Sequence, residues 1–363
     1  MTRFDWHVLR RFVAATALLL ALLVATFVVL DLAERVDDFL DRGATMGQVF
    51  RTYYPYYVPE IVRLTSPLAL FLAAVYVTAR LAQSMELTAL HMAGVSLARY
   101  MRPFVGAAAV FTALMIGFNG FVVPRATAVV HEFQNEYFRD APEDAGGGEV
   151  YRQAAPGVVL SAGFFDRREG RAYRVSLVTV GDSAGAGLRS RFDAAEMSYV
   201  DSLGLWRARD VSVRQFGSGG AESFRRYEEV DTALTVRPRD LAQSERDTER
   251  MTLPEARLFV QSLERAGVAE RGRPLVSYYA KVAYPVANLV LVLLAVPLAA
   301  RRRRGGQAVQ LALGLGVAFV YLAVQKTLEP LGYVQTVPPA VAAWLPHVAF
   351  AAVAGLLFWR ANR

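Results

Sequence analysis

Long apolar runs alternate along this chain with stretches dense in charge. Six runs stand out: residues 12–30, 59–79, 104–123, 282–300, 308–324 and 340–359. The first has only Thr16 and Thr26 as polar members. At roughly 1.5 Å of rise per residue, such a run covers most of a hydrocarbon core about 30 Å thick, and a helix satisfies its own backbone there. The pattern predicts a polytopic α-helical membrane protein with six transmembrane helices. Three precede and three follow a charge-rich block at about residues 125–273, which is the size of one globular domain. The expected organisation is therefore helices one to three in 1–124, an inserted domain with a returning helix in 125–272, and helices four to six in 273–363.

Inside the block the period changes to two. Arg171-Ala-Tyr-Arg-Val-Ser-Leu-Val-Thr-Val180 sets Tyr173, Val175, Leu177 and Thr179 on one face. Residues 205–216 and 222–230 are further candidate strands. Glycine-rich turns at 146–148, 181–187 and 217–220 separate them. Short strands with such punctuation suggest a sandwich, a jelly roll or an open barrel. Thr252-Leu-Pro-Glu255 is a capping box with an early proline, and Gly267 supplies the stop, so a helix returns the chain to the membrane.

A hydrophobic content of 54% suits a chain that is half membrane. The net charge of +7 would suggest nucleic acid in a soluble protein, but here it follows topology. Arg3, Arg10 and Arg11 precede helix one, Arg80, Arg99 and Arg102 lie between helices two and three, and residues 301–304 are four consecutive arginines. Arg360 and Arg363 close the chain. The alternate loops are acidic or sparse, with Asp31, Glu34, Asp37, Asp38 and Asp41 set against Arg35, Arg42 and Arg51. Both termini are expected in the cytoplasm and the inserted domain outside. The first run exceeds the 7–15 residues of a signal peptide core and lacks a small-x-small cleavage site, so it reads as a retained span. Without cysteine, the exported domain is expected to depend on packing alone.

Several chemistries are excluded. The two lysines, Lys281 and Lys326, follow no glycine-rich loop, so the chain has no Walker A phosphate loop. Any ATP hydrolysis is expected on another subunit. His7, His91, His131 and His347 are scattered, and neither a metal site nor a cofactor is expected. Gly181-Asp-Ser-Ala-Gly185 matches the nucleophile-elbow pattern, yet strand pattern follows it where a helix is needed. It reads as a hairpin turn.

Within the membrane unit, Arg63 and Lys281 are placed near the outer ends of helices two and four. Charges at such depth either snorkel or mark a substrate path, and two at one level would suit an anionic head group. Asn119, Asn288 and His347 are expected to hydrogen-bond between helices. Ala17, Ala21 and Ala25 on helix one, and Gly314 and Ala318 on helix five, fit either internal packing or a subunit seam. The inner loop carries a short helix over 84–94, capped by Ser84 and stopped by Gly94. Met85, Ala89 and Met92 line one face, flanked by Leu87 and Leu90, with Glu86 among them. This shape either lies on the membrane or docks into a groove of a partner.

Three stretches carry a family resemblance: Ala82-Gln-Ser-Met-Glu-Leu-Thr-Ala-Leu-His-Met-Ala-Gly94, Tyr279-Ala-Lys-Val-Ala-Tyr-Pro285 and Val337-Pro-Pro-Ala-Val-Ala-Ala-Trp-Leu-Pro346. With the topology, they resemble the lipopolysaccharide-export permeases LptF and LptG almost end to end, the last stretch being similar to the G type. The resemblance implies an extracytoplasmic β-jellyroll and a non-catalytic subunit of an ABC transporter in the inner membrane of a Gram-negative-type bacterium. It implies a cytoplasmic ATPase dimer similar to LptB, a second permease similar to LptF, and a periplasmic jellyroll bridge similar to LptA and LptC. Lipopolysaccharide would leave the outer leaflet laterally, between helices one and five of opposing subunits. Glu86 matches the acidic residue of the coupling helix, and Lys281 a basic position opening helix four. Arg35, Arg63 and Lys281 are the candidate head-group contacts. Phe192, Trp206, Val211, Val213 and Phe224 are the candidate lining for acyl chains in the β domain. The acidic stretch around Asp37, Asp38 and Asp41 departs from the basic residues usual after helix one of G-type subunits. A sensor with a ligand-binding outer domain is the alternative from a different class. A lipid-modifying enzyme ranks below it, because the outer domain shows no acid–base pair.

Overall fold

The computed structural model describes residues 3–41, 43–137, 150–155, 157–166, 169–181, 187–200, 203–217, 221–234, 236, 238, 241, 248–265, 271–300 and 306–361. The arginine run at 301–304, Arg42, Arg363, Gly267 and most of the glycine-rich turns lie outside the described residues. Two compact units form: one from residues 1–137, 249–256 and 272–363, the other from 138–248 and 257–271.

In the first unit, six helices are long and apolar enough to cross a membrane: α1 (Arg3–Asp41), α2 (Met46–Gln83), α4 (Leu97–Gln134), α6 (Gly272–Ala299), α7 (Gly306–Tyr333) and α8 (Pro339–Ala361). The short α3 (Glu86–Met92) joins α2 to α4, and α5 (Leu253–Arg265) precedes α6. The helices outrun their apolar stretches. In α1, for example, Arg3 to Arg11 and Glu34 to Asp41 continue the helix on polar residues. Thr45 opens α2 with a capping box, exchanging hydrogen bonds with Gln48. One π turn interrupts α2 (Val49–Tyr53) and another α4 (Phe118–Val122).

α2 and α6 form the centre of this unit. Their most apolar windows are 67% and 72% buried, whereas that of α1 is 6% buried. Small side chains explain the close packing: Ala69, Ala73, Ala74 and Ala79 on α2, and Ala283, Ala287, Ala295 and Ala299 on α6, are all essentially inaccessible. Gly314 resolves one open alternative, since a Cβ there would stand 3.4 Å from Phe71 and Val75 of α2. The small residues of α7 therefore serve internal packing. Ala17, Ala21 and Ala25 face outward on α1, available to lipid or another subunit.

The second unit holds β1 (Val150–Ala155), β2 (Val158–Asp166), β3 (Arg171–Val180), β4 (Leu188–Val200), β5 (Leu205–Phe216) and β6 (Glu222–Thr232). They make one antiparallel sheet in sequential order, without a Greek-key crossover among the described strands. Leu160, Ala162, Val175, Met197, Trp206 and Val211 anchor its core.

The sheet carries a phase slip that the alternation did not reveal. Gly163, Arg174, Ala195, Asp210 and Glu228 stand side by side on β2 to β6, between paired neighbours. Burial jumps by three residues across this row: Ala162 to Phe165, Ala172 to Val175, Ala194 to Met197, and Ala208 to Val211. Arg174 (φ 51°) and Asp210 (φ 52°) adopt left-handed backbone there. A single extra residue reverses which side chains face the core, and because the strands slip together, pairing survives. Tyr173 is accordingly not on the face of Val175 and Leu177, contrary to the simple alternation. Gly163 fits the row because the Arg174 side chain lies where its Cβ would be, at 2.8 Å.

Candidate functional site

Arg63 and Lys281 do meet, but as parts of a larger cluster. Where the apolar run of α2 begins, away from the α3 loop, a cavity of about 180 Å³ is lined by Glu60, Arg63, Asn119, Glu249, Lys281, Tyr284, Lys326 and Glu329 among others. Three cations face three carboxylates. Arg63 donates from Nε to Glu60 Oε2 at 2.9 Å, makes a second bond to Glu60 Oε1, and lies 5.1 Å from the ring centre of Tyr284. Lys281, only 6% exposed, donates from Nζ to the Glu249 carbonyl at 3.1 Å. Asn119 Nδ2 donates to the Lys281 carbonyl at 2.7 Å, the interhelical bond expected of it. Lys326 pairs with Glu329 at 3.0 Å. The two cations expected at one level are thus part of a charge-balanced network. Helical spacing held the missing signal: Glu60 precedes Arg63 by three residues and Glu329 follows Lys326 by three, so each pair shares a face.

Arg35 is absent from this cavity. It pairs with the buried Asp31 at 3.1 Å and donates to the Tyr53 hydroxyl at 3.2 Å, while Tyr54 donates to Asp31 at 3.4 Å. Phe39 packs edge to face against Tyr53 and Phe133, which are tilted against each other beside this network. Asp31 and Arg35 stand at i,i+4 spacing on one face of α1, so this arginine has a carboxylate partner on its own helix.

The inner loop folds as expected, with one correction at its start. Met85, at φ 64°, is the residue preceding α3, and no side chain caps the helix. Ser84 instead ends α2; its Oγ donates to Glu86 Oε1 at 2.9 Å. Two helices abut here with one left-handed residue between them, leaving no extended position for a serine cap. Leu87 is 2% exposed and packs into the membrane unit, and Leu90 packs beside it. Met85, Glu86, Ala89 and Met92 face outward, Met92 at 86% exposure. Gly94 ends the segment at φ 80°, as a helix stop requires.

Of the other polar membrane residues, His347 bonds across helices through Nδ1 to the Tyr321 hydroxyl at 2.8 Å. Asn288 does not, because its Nδ2 donates to Pro285 O in its own helix. The carbonyl that Pro285 leaves without its N–H partner is that of Lys281, four residues earlier, and Asn119 rather than Asn288 donates to it. Residues 182–185 of the elbow-like motif lie outside the described residues.

In the β domain, Trp206 and Val211 are fully buried core, and Trp206 Nε1 donates to Val236 O at 2.7 Å. Phe192 and Val213, paired across β4 and β5, are partly open at the edge of that core. Phe224 is separate: it pairs with Arg214 on the other face, 57% exposed, with the guanidinium 5.5 Å from its ring.

This arrangement offers a polar cleft at one membrane end, a presented short helix at the other, and an inserted sheet. Residues 6–360 match the family model described as lipopolysaccharide export system permease LptF/LptG. The chain belongs to this family. A comparison with curated proteins found no match. Members are non-catalytic membrane subunits of an ABC transporter, so this LptF/LptG permease serves the extraction and export of lipopolysaccharide and hydrolyses no ATP itself.

Proposed function

We propose that this permease is the G-type member of a pair, working with an F-type permease on a dimer of cytoplasmic ATPases in the inner membrane. The Val337-to-Pro346 stretch supports the G type, and the arginine-rich loops support cytoplasmic termini with the β domain in the periplasm. The observation that carries the coupling role is α3: Leu87 fixes it to the membrane unit while Met85, Glu86, Ala89 and Met92 are presented for a groove. Glu86 would pair with a groove cation.

Arg63 and Lys281 bind the anionic head group by exchanging their present partners for phosphate oxygens, with Arg35 outside this contact. Phe192 and Val213, open at the edge of the β core, guide acyl chains toward the jellyroll bridge, while Trp206 and Val211 hold the sheet that carries them. Phe224 lies off that path. The test is Glu86→Ala in the co-purified transporter. It should leave the chain folded in the membrane yet weaken ATPase recovery or lipopolysaccharide release. Normal recovery and normal release would remove the coupling role.

A further inference from the structure

A second cavity, of about 450 Å³, opens on α4, α6 and α8 at the α3 end of the membrane unit. α4 and α8 both pack on α6 but barely touch each other, and the cavity is the gap between them. α6 contributes Leu293, α4 contributes Val105, and α8 contributes Ala351, Gly355 and Phe358. The small residues of α8 leave the gap open: a Cβ at 355 would meet nothing within 4 Å. Arg102 of α4 is the one charged residue among those described that line it. It lies two residues before the apolar run of α4 begins, where that run meets the head groups. Arg99 stands one turn earlier on the same helix, and among the described residues neither arginine pairs with a carboxylate.

We infer that this groove holds one anionic phospholipid of the adjoining leaflet, its phosphate on Arg102 and an acyl chain between α4 and α8. A guanidinium recognises phosphate through paired hydrogen bonds, and basic pockets between transmembrane helices suit anionic head groups. Net charge matters as well as phosphate, because a zwitterionic head would bring its ammonium beside Arg99 and Arg102 and be repelled. The shape points the same way. From Phe358 to Ala351 the groove follows seven residues of α8, about 10 Å. Its volume spread over that length gives a section of about 45 Å², roughly half that of an α-helix about 10–12 Å across. A hydrocarbon chain enters such a slot, and a transmembrane helix does not. The lipid thereby joins two helices that protein contacts leave apart, in the segment directly after α3.

The experiment is native mass spectrometry of the complete transporter, titrated with phosphatidylglycerol or phosphatidylethanolamine. Gly355→Leu fills the groove without touching charge, and the open space at 355 lets the variant fold. It should lose one bound phosphatidylglycerol, and the difference from wild type measures occupancy of the groove. That occupancy should be about tenfold higher with phosphatidylglycerol than with phosphatidylethanolamine, the effect of one charge-assisted hydrogen bond. Arg102→Gln should abolish the preference; if that variant fails to assemble, the wild-type preference alone decides. No lipid lost in Gly355→Leu, equal occupancy by the two lipids, or a preference surviving in Arg102→Gln would overturn the site. A photoreactive residue in place of Ala351 should capture phospholipid. Capture of a protein chain there instead would also overturn it, because a partner helix would then cover the groove.

Discussion

Replacing Glu60 with glutamine tests whether the charge-balanced cluster is a resting state that a head group displaces. Glu60 accepts two hydrogen bonds from Arg63, and each side chain is 24% exposed. Glutamine keeps one acceptor and loses the charge, so the cavity lining goes from three against three to one net positive charge. A hydrogen bond to a charged group contributes about 1.5–3 kcal/mol, and partial solvent access places this one near the lower end, at about 1–2 kcal/mol. Thermal unfolding of detergent-purified Glu60→Gln should therefore begin from a lower midpoint. Adding lipopolysaccharide should then raise that midpoint more than in the wild type, because Arg63 no longer has a carboxylate to release. Relief of that competition is worth up to about tenfold in affinity, or about 1.4 kcal/mol, and ligand stabilisation reports it directly. An unchanged midpoint together with unchanged lipid stabilisation would refute the reasoning, since the Glu60 contact would then neither stabilise nor compete.

Trp206→Ala should destabilise the β domain by about 3–5 kcal/mol, read by denaturant unfolding, because it empties a fully buried site and strands the Val236 carbonyl. Gly332→Val should lower assembly yield and cost about 1–3 kcal/mol through overpacking, since a Cβ at 332 would stand 2.6 Å from Ala342 Cβ and 2.7 Å from Val276. The Thr252 backbone N–H holds the Glu255 carboxyl below its ordinary range, and the Arg207 guanidinium does the same for Asp231. A depressed folded-state pKa stabilises above the unfolded value of about 4 and is lost as pH falls through the folded one. Stability should thus decline on acidification below about pH 4, and Glu255→Gln should flatten that decline in a pH series of melts.

The membrane half was readable because a hydrocarbon core imposes length and apolarity on every span, and each of the six runs falls within an observed helix, apart from Ala300 just past the end of α6. Helix ends were less readable, since polar residues such as Glu34 and Asp37 continue a helix once it leaves the apolar layer. Arg171–Val180 and Leu205–Phe216 match β3 and β5, where alternation is strong. The face assigned within Arg171–Val180 was misjudged because Arg174 adopts a left-handed backbone that only the paired strands impose. At the site, Arg63 and Lys281 were legible as out-of-place charges. Their partners were not. Glu249 contributes a backbone carbonyl from 32 residues away, which carries no sequence signature. Glu60 and Glu329 were hidden in plain helical spacing. Leu87 and Met92 lie on the same short helix, and only packing separates the anchor from the presented face.

The central claim, that this chain is a passive lipopolysaccharide permease driven by another subunit, is tested most directly by ATP-driven release of lipopolysaccharide from proteoliposomes. The complete transporter should deliver lipid to an added bridge protein only with ATP, a complex lacking this chain should deliver none, and the purified chain alone should hydrolyse no ATP. Delivery at the full rate without this chain, or ATP hydrolysis by the chain alone, would contradict the account.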